Sequence, residues 1–300
     1  MLQKMILATS LAITLQAAQA ATEIAPETAP VTQPVLTLKV YNADANSFNV
    51  NSTLVMGAKD AILIDGGFTR ADALRIAANV LDSGKQLTTI YVSQADPDYY
   101  FGVETLKVFF PKADVVTTSA VLDKLAPKVA GKLAFWGPKM GGNAPHQPVI
   151  PRVLQENKLM LEGQGIEIRG TTGLLAHRPY VWIPSIKAIV GNIAVFGNLH
   201  VWTADTQTVA ERDAWGKQLD EMLALKPQVV VPGHMSSGTK IDASTIIFTK
   251  DYLQKFEKNL SISSDSSILI NAMQQAYPQL TAGEMSLNIG AKVNKGEMKW

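Results

Sequence analysis

Apolar and polar residues alternate from Val35 to Val40, the two-residue period of a half-buried strand. Ser52 to Met56 and Ala61 to Ile64 read as further strands, joined by the turn-like Gly57-Ala58-Lys59-Asp60. Arg70 to Leu81 changes to helical spacing, with Ala73, Leu74, Ile76, Ala77, Val80 and Leu81 on one face. Thr88 to Val92 is β-branched and apolar, as a buried strand is. A helix over Val103 to Phe110, a strand over Asp114 to Thr118 and a helix over Ala120 to Leu133 follow. In the second half, Lys158 to Glu162 and Gly165 to Arg169 predict a hairpin, and Tyr180 to Ile183 and Lys187 to Phe196 two adjoining strands. Thr208 to Ala224 is an amphipathic helix, Gln228 to Val231 a short buried strand, and the chain from Ala243 on is mostly helical with a break near Ser261 to Asp265. Strands alternating with helices predict an α/β fold.

The N-terminus has a different pattern. Lys4 precedes the apolar run Met5 to Leu15, and Ala18-Gln19-Ala20 has the small-x-small form of a cleavage site. Residues 1–20 therefore read as a signal peptide, which places the mature protein in the periplasm or the secreted fraction. The run is too short for a comfortable membrane span, and nothing later reads as one. Residues 21–34 hold three prolines and no apolar period, and read as a flexible leader. Residues 35–300 are expected to form a single domain whose helical C-terminal part covers about residues 243–300.

Composition narrows the chemistry. The 300 residues carry 27 Lys+Arg against 26 Asp+Glu, which excludes nucleic-acid binding by bulk charge. With 47% apolar residues the chain has material for a sizeable core. The absence of cysteine removes disulfides, thiolate metal ligands and a cysteine nucleophile. No Gly-x-Ser-x-Gly elbow and no phosphate-binding glycine loop is present.

The stretch that carries candidate chemistry is Ser93-Gln94-Ala95-Asp96-Pro97-Asp98-Tyr99-Tyr100-Phe101-Gly102, directly after a buried strand and before a helix. Ligands commonly bind there in α/β proteins. Asp96 and Asp98 can point the same way in an extended loop, and two such carboxylates repel unless a cation or a proton lies between them. The segment is thus a cation site, an acid–base pair, or a solvated loop in which Asp98 caps the next helix.

In order, these segments resemble the metallo-β-lactamase superfamily. Asn51-Ser52-Thr53-Leu54-Val55 and Ile62-Leu63-Ile64-Asp65-Gly66-Gly67 look like its opening strands, with Asp65 at the strand end. Residues 93–102 stand where members carry a His-x-His-x-Asp-His loop, and Val229-Val230-Val231-Pro232-Gly233-His234 looks like the late strand that ends in a ligand histidine. The resemblance spans about residues 35–240. It implies an αββα sandwich with a metal cleft along one edge, here with a helical C-terminal extension.

It also marks departures. Gln94 and Asp96 replace the first two histidines, Tyr99 replaces the last, and Gly191-Asn192 stands for a Gly-Asp pair whose aspartate bridges two metals. Only Asp98 and His234 match outright. His177 precedes the Tyr180–Pro184 strand at less than the usual spacing. The implied metal set is Gln94, Asp96, Asp98, His177, Asn192 and His234, with Asp98 and Tyr99 as catalytic candidates. So oxygen-rich a set makes a dinuclear zinc centre unlike the chemistry present. It leaves one divalent ion (zinc, manganese or iron) or none. His200 and Asp205 are expected near the same edge, and His146 in a surface loop.

The function implied is hydrolysis of an ester, amide, lactone or phosphoester in a small-molecule substrate by metal-activated water. The alternative is a metal-free periplasmic binding protein on the same fold. Iron-dependent redox chemistry is a third reading.

Overall fold

A computed structural model describes residues 35–300. The expected signal peptide and leader, residues 1–34, lie outside the described residues.

The first sheet runs β1 (Thr37–Asn42), β2 (Asn51–Met56), β3 (Asp60–Ile64), β4 (Gln86–Tyr91), β5 (Asp114–Thr117) and β6 (Arg152–Val153) in spatial as well as sequence order. The antiparallel meander β1–β3 passes into parallel pairing from β3 onward, with Ile64 opposite Tyr91 and Tyr91 opposite Val116. Each parallel connection needs a crossover. Helices α1 (Arg70–Ser83), α2 (Pro97–Tyr100), α3 (Val103–Phe109), α4 (Ser119–Leu125) and α5 (Val129–Met140) lie in these connections.

The second sheet has the order β12-β10-β9-β8-β7, from β7 (Lys158–Leu161), β8 (Gln164–Arg169), β9 (Tyr180–Ile183), β10 (Ala188–Val190) and β12 (Val229–Val230). A separate parallel pair joins β11 (Phe196–Gly197) to β13 (His234–Met235), with Phe196 opposite His234. Helix α6 (Val209–Ala224) is closed at its start by a capping box between Thr208 and Glu211, and α7 (Ser244–Ile262), α8 (Ser266–Ala276) and α9 (Glu284–Asn294) form the C-terminal part.

Side-chain alternation sorts the strands into layers. Val55, Ile62, Ile64 and Tyr91 meet Ile166 and Val181 in one cluster, which is the contact between the two sheets. Their neighbours Leu54, Leu63 and Ile90 point the other way, against Ile76 of α1 and Leu106 of α3. Tyr180, Trp182 and Ile189 of the second sheet pack on Trp215, Tyr252 and Phe256 of α6 and α7. The result is the expected αββα sandwich. Each fully buried aliphatic side chain in these layers contributes roughly 1.5–3 kcal/mol before chain entropy is counted.

Several local expectations are corrected. On α1, Leu74 and Leu81 are 44% and 61% exposed, whereas Ala73, Ile76, Ala77 and Val80 are buried. The real stripe is narrower, because small alanines let the helix lie close to the sheet. The helix expected over Ala120 to Leu133 is two, α4 and α5, separated around Pro127, which cannot donate the hydrogen bond a continuing helix needs. The strand expected over Lys187 to Phe196 ends at Val190, where Gly191 adopts φ 54°, and Phe196 joins the small β11–β13 pair. His234 belongs to β13, not to the end of the preceding strand.

Candidate functional site

Two crossings of glycine backbone bring the cleft residues together. A Cβ on Gly102 would sit 2.2 Å from the Gly66 carbonyl oxygen, and a Cβ on Gly233 would sit 2.0 Å from that of Asn192. At both places the chain passes closer than any side chain allows. Gly66 N donates to Tyr99 O at 2.7 Å and Gly102 N to Gly67 O at 3.0 Å, which ties the end of β3 to the loop after β4. Asp65, 1% exposed, reinforces that tie by accepting from Ser93 N at 2.7 Å and Ser93 Oγ at 2.8 Å. Burial pushes its carboxyl up to about 8, against the pull of the two Ser93 bonds.

Tyr99 and His234 meet at the centre. The Tyr99 hydroxyl, on a side chain with no solvent exposure, lies 3.1 Å from His234 Nε2 and 3.2 Å from Asn192 O. His234 Nδ1 lies 2.9 Å from the Phe48 carbonyl oxygen, which can only accept. Nδ1 therefore carries the proton, and the single Tyr99 O–H proton is shared between two acceptors, the Asn192 carbonyl and the Nε2 lone pair. Phe196 stacks on the imidazole, with ring centroids 5.3 Å apart at 12°. Burial lowers the His234 pKa to about 4, despite the Phe48 bond, so the ring is neutral near pH 7. Asp98 Oδ2 stands 3.6 Å from Nε2, beyond hydrogen-bond range. Burial first, and the nearby Asp96 second, push the Asp98 carboxyl well above the usual range. Asp98 is also no cap: Asp96 holds the N-cap position of α2, without a side-chain bond to it.

Gln94, Asn192, Asp96 and Asp205 already have partners of their own. Gln94, 1% exposed, donates through Nε2 to Pro179 O at 2.9 Å. Asn192 uses both ends of its amide on backbone, Nδ2 to Val231 O at 3.0 Å and Oδ1 from Val195 N at 2.8 Å. Asp96 forms an ion pair with Lys132 Nζ at 2.8 Å, and Lys132 also donates to Ala95 O. Burial would raise the Asp96 pKa, but the Lys132 ammonium outweighs it and holds the carboxyl below its ordinary value. His177 is half-buried; burial and the adjacent Arg178 lower its pKa to about 4. His200 is not at this edge. It is buried under the C-terminal helices, with Nδ1 3.0 Å from the Tyr252 hydroxyl. Asp205 accepts from the indole nitrogens of Trp202 and Trp300, at 2.5 Å and 2.7 Å. His146 is exposed, as expected of its loop.

Two basic residues were not among the sequence candidates. Lys132 lies inside an expected helix and Arg178 beside a candidate histidine, and neither carries a spacing signal. Lys132 becomes a site residue through its pairing with Asp96, and Arg178 through the bond from Gln94 to its neighbour Pro179.

These donors do not fit a metal centre as they are arranged. Of the residues that match the family's ligands, His234 has its free nitrogen covered by Tyr99, and burial works against the charged form of Asp98. The amides that replace ligands are committed to backbone groups. Among the described residues, no group of three or more His, Asp or Glu side chains is close enough to share an ion.

Comparison with known proteins agrees on the fold. The structure is similar to a metallo-beta-lactamase family protein from Thermus thermophilus, with 16% identity, a TM-score of 0.60, and 87% of this chain and 91% of that one covered. A metallo-beta-lactamase from Pontibacter korlensis matches with 17% identity and a TM-score of 0.50 over 76% of this chain and 97% of that one. A double mutant of the sec-alkyl sulfatase PisA1 matches with 13% identity and a TM-score of 0.54, over 81% of this chain and 47% of that one. No curated protein matches the sequence at a significant level. The sequence model described as the metallo-beta-lactamase superfamily matches residues 45–234. Membership supports a metallohydrolase-like function at the level of the superfamily only. By that match, and by the layered fold that bears it, the chain belongs to the metallo-beta-lactamase superfamily.

Proposed function

We propose that this chain is a member of the superfamily that holds a small molecule in the cleft without a catalytic metal. The observation that carries the reading is the Tyr99 hydroxyl 3.1 Å from His234 Nε2, in the direction where a ligand histidine would meet its ion. A bond from a buried donor to a buried acceptor is costly to open, because both groups lose their partner away from water. The committed amides of Gln94 and Asn192 support the same reading. The pairing of Asp96 with Lys132 adds to it, since a protein ammonium supplies the positive charge beside that carboxylate.

One observation favours the metallohydrolase reading: Asp98 and His234, the two outright matches, remain neighbours at 3.6 Å. Elemental analysis separates the two. The purified protein is incubated with zinc, manganese and iron and desalted, beside an Asp98→Ala variant. The proposal expects metal far below one ion per chain in both. Near-stoichiometric metal in the wild type that disappears in Asp98→Ala would overturn it.

The N-terminal pattern supports an exported protein, and a mature chain beginning at Ala21, found by mass spectrometry of a periplasmic fraction, is the expected result. A full-length chain confined to the cytoplasm would refute export. Among the described residues no helix is long and apolar enough to cross a membrane.

A further inference from the structure

Arg178 brings a full charge into the interior without a counter-ion. It is 4% exposed, and its Nη1 is buried with no hydrogen-bond partner. Nη2 reaches the Ile193 carbonyl at 3.4 Å, the long end of a hydrogen bond. The guanidinium lies 4.6 Å over the Trp215 ring, which fixes its plane and offers no acceptor to Nη1. No carboxylate among the described residues is within ion-pair distance of it. Arginine cannot shed its proton to escape this position, and a buried charge left unpaired is strongly unfavourable.

The residue is nevertheless held with care. Gln94 Nε2 donates to Pro179 O and Gln218 Nε2 to Arg178 O, both at 2.9 Å, while Arg178 N donates to Leu175 O at 2.8 Å. Two buried amide side chains are committed to the backbone of this one dipeptide. One of them is Gln94, which stands where the family has its first histidine. The Gln94 bond sets this dipeptide against the loop 93–102, and the carboxylates nearest in effect are Asp205 and Asp96. Both already have other partners, Asp96 in Lys132 and Asp205 in the two indoles.

We propose that Arg178 anchors the cleft ligand, and that this ligand carries a single carboxylate that pairs with the guanidinium. A planar two-oxygen anion matches the guanidinium fork. A phosphate dianion suits the place less well, because Asp96 and Asp205 lie near and the Lys132 ammonium is already paired with Asp96. The inference rests on the metal-free reading, which it deepens by naming the ligand class.

Isothermal titration calorimetry tests it. Sodium acetate, sodium benzoate and sodium phosphate are titrated at constant ionic strength into chelator-treated wild type, Arg178→Met and Arg178→Lys. Saturable binding of a carboxylate to the wild type is expected, with phosphate weaker. Arg178→Met should lose at least about tenfold in affinity, the loss of one charge-assisted bond, and Arg178→Lys should fall between. Arg178→Met should melt no lower than ligand-free wild type, since it removes an unpaired buried charge. Should that variant fail to fold, the Arg178→Lys titration and the phosphate comparison on the wild type still decide. No saturable carboxylate binding, preference for phosphate, or equal binding by the variants overturns the inference. A zinc-loaded arm keeps the two readings apart. Metal-free protein that binds no carboxylate sinks the ligand class alone, whereas carboxylate binding that appears only after zinc loading sinks the metal-free reading and the inference with it.

Discussion

Replacing Asp65 by asparagine tests the electrostatics at the point where β3 meets the loop that carries the site. Burial raises this carboxyl from 3.8 to about 8, so near pH 7 the folded protein holds it protonated. In that protonated form Oδ2 turns from acceptor to donor in its 2.8 Å bond to Ser93 Oγ, while Oδ1 still accepts from Ser93 N at 2.7 Å. Asparagine reproduces that arrangement, with its oxygen toward Ser93 N and its NH2 toward Ser93 Oγ, and it does not titrate. In the unfolded chain the aspartate loses its proton near pH 4. Between about pH 4 and about pH 8 the folded state thus binds one more proton than the unfolded state. The contribution of Asp65 to stability is complete below about pH 4 and declines as pH rises toward about 8, by about 1.4 kcal/mol per pH unit. Over the two units from about pH 5.5 to about pH 7.5 the decline is about 2.7 kcal/mol. The stability of Asp65→Asn relative to wild type should therefore rise by about 2–3 kcal/mol over that interval. Urea unfolding followed by circular dichroism at several pH values measures the difference, and the other titrating groups, common to both chains, largely cancel. Parallel pH profiles, or a difference that moves toward the wild type as pH rises, would refute the reasoning.

The Tyr99→Phe variant keeps the ring and removes the donor to His234 Nε2; it should cost about 1–3 kcal/mol, and an unchanged denaturation midpoint would show that the bond is not formed in solution. Gly233→Ala places a Cβ 2.0 Å from Asn192 O and 2.7 Å from the Tyr99 hydroxyl. Overpacking there should destabilise by about 1–3 kcal/mol or more, whereas Gly216→Ala, in open space within α6, should stabilise by roughly 0.5–1 kcal/mol; thermal melts of the pair that shift in the same direction contradict this. Gln94→His restores the family's residue type but loses the bond to Pro179 O. Because His234 stays covered by Tyr99, elemental analysis of that variant should find no more zinc than in wild type, and one ion per chain would show that the ligand set was only one residue short.

The alternation of strands and helices was legible because it rests on periodicity, whereas the αββα layering was implied by the resemblance. Val55, Ile62, Ile64 and Tyr91 on one side and Leu54, Leu63 and Ile90 on the other follow from alternation along strands, which survives any detail of packing. Helix boundaries were legible where a cap announces them, as Thr208 does for α6. Periodicity failed where size mattered more than polarity. Leu74 and Leu81 share the helical period of the buried stripe on α1 and yet face solvent. The short β11–β13 pair was invisible for a different reason: two-residue strands have no period, and their partners lie far apart in sequence.

The site was legible in place but not in chemistry, and the reason is separation along the chain. Whether Gln94 is a ligand or a brace depends on Pro179, 85 residues away; whether His234 offers a nitrogen depends on Tyr99, 135 residues away. A side chain with one strong partner at 3 Å is unavailable to another, so the same residue type at the same motif position supports opposite chemistries. Sequence order located the loop 93–102, Asn192 and His234 around one cleft, since the fold that orders them was readable. It could not assign their lone pairs. Arg178 makes the point from the other side. It matches no motif and follows a histidine that drew attention for its resemblance, yet its Nη1 is the group left without a partner. A motif search finds residues that resemble known ligands. An account of which buried donors lack an acceptor finds the residue that awaits one.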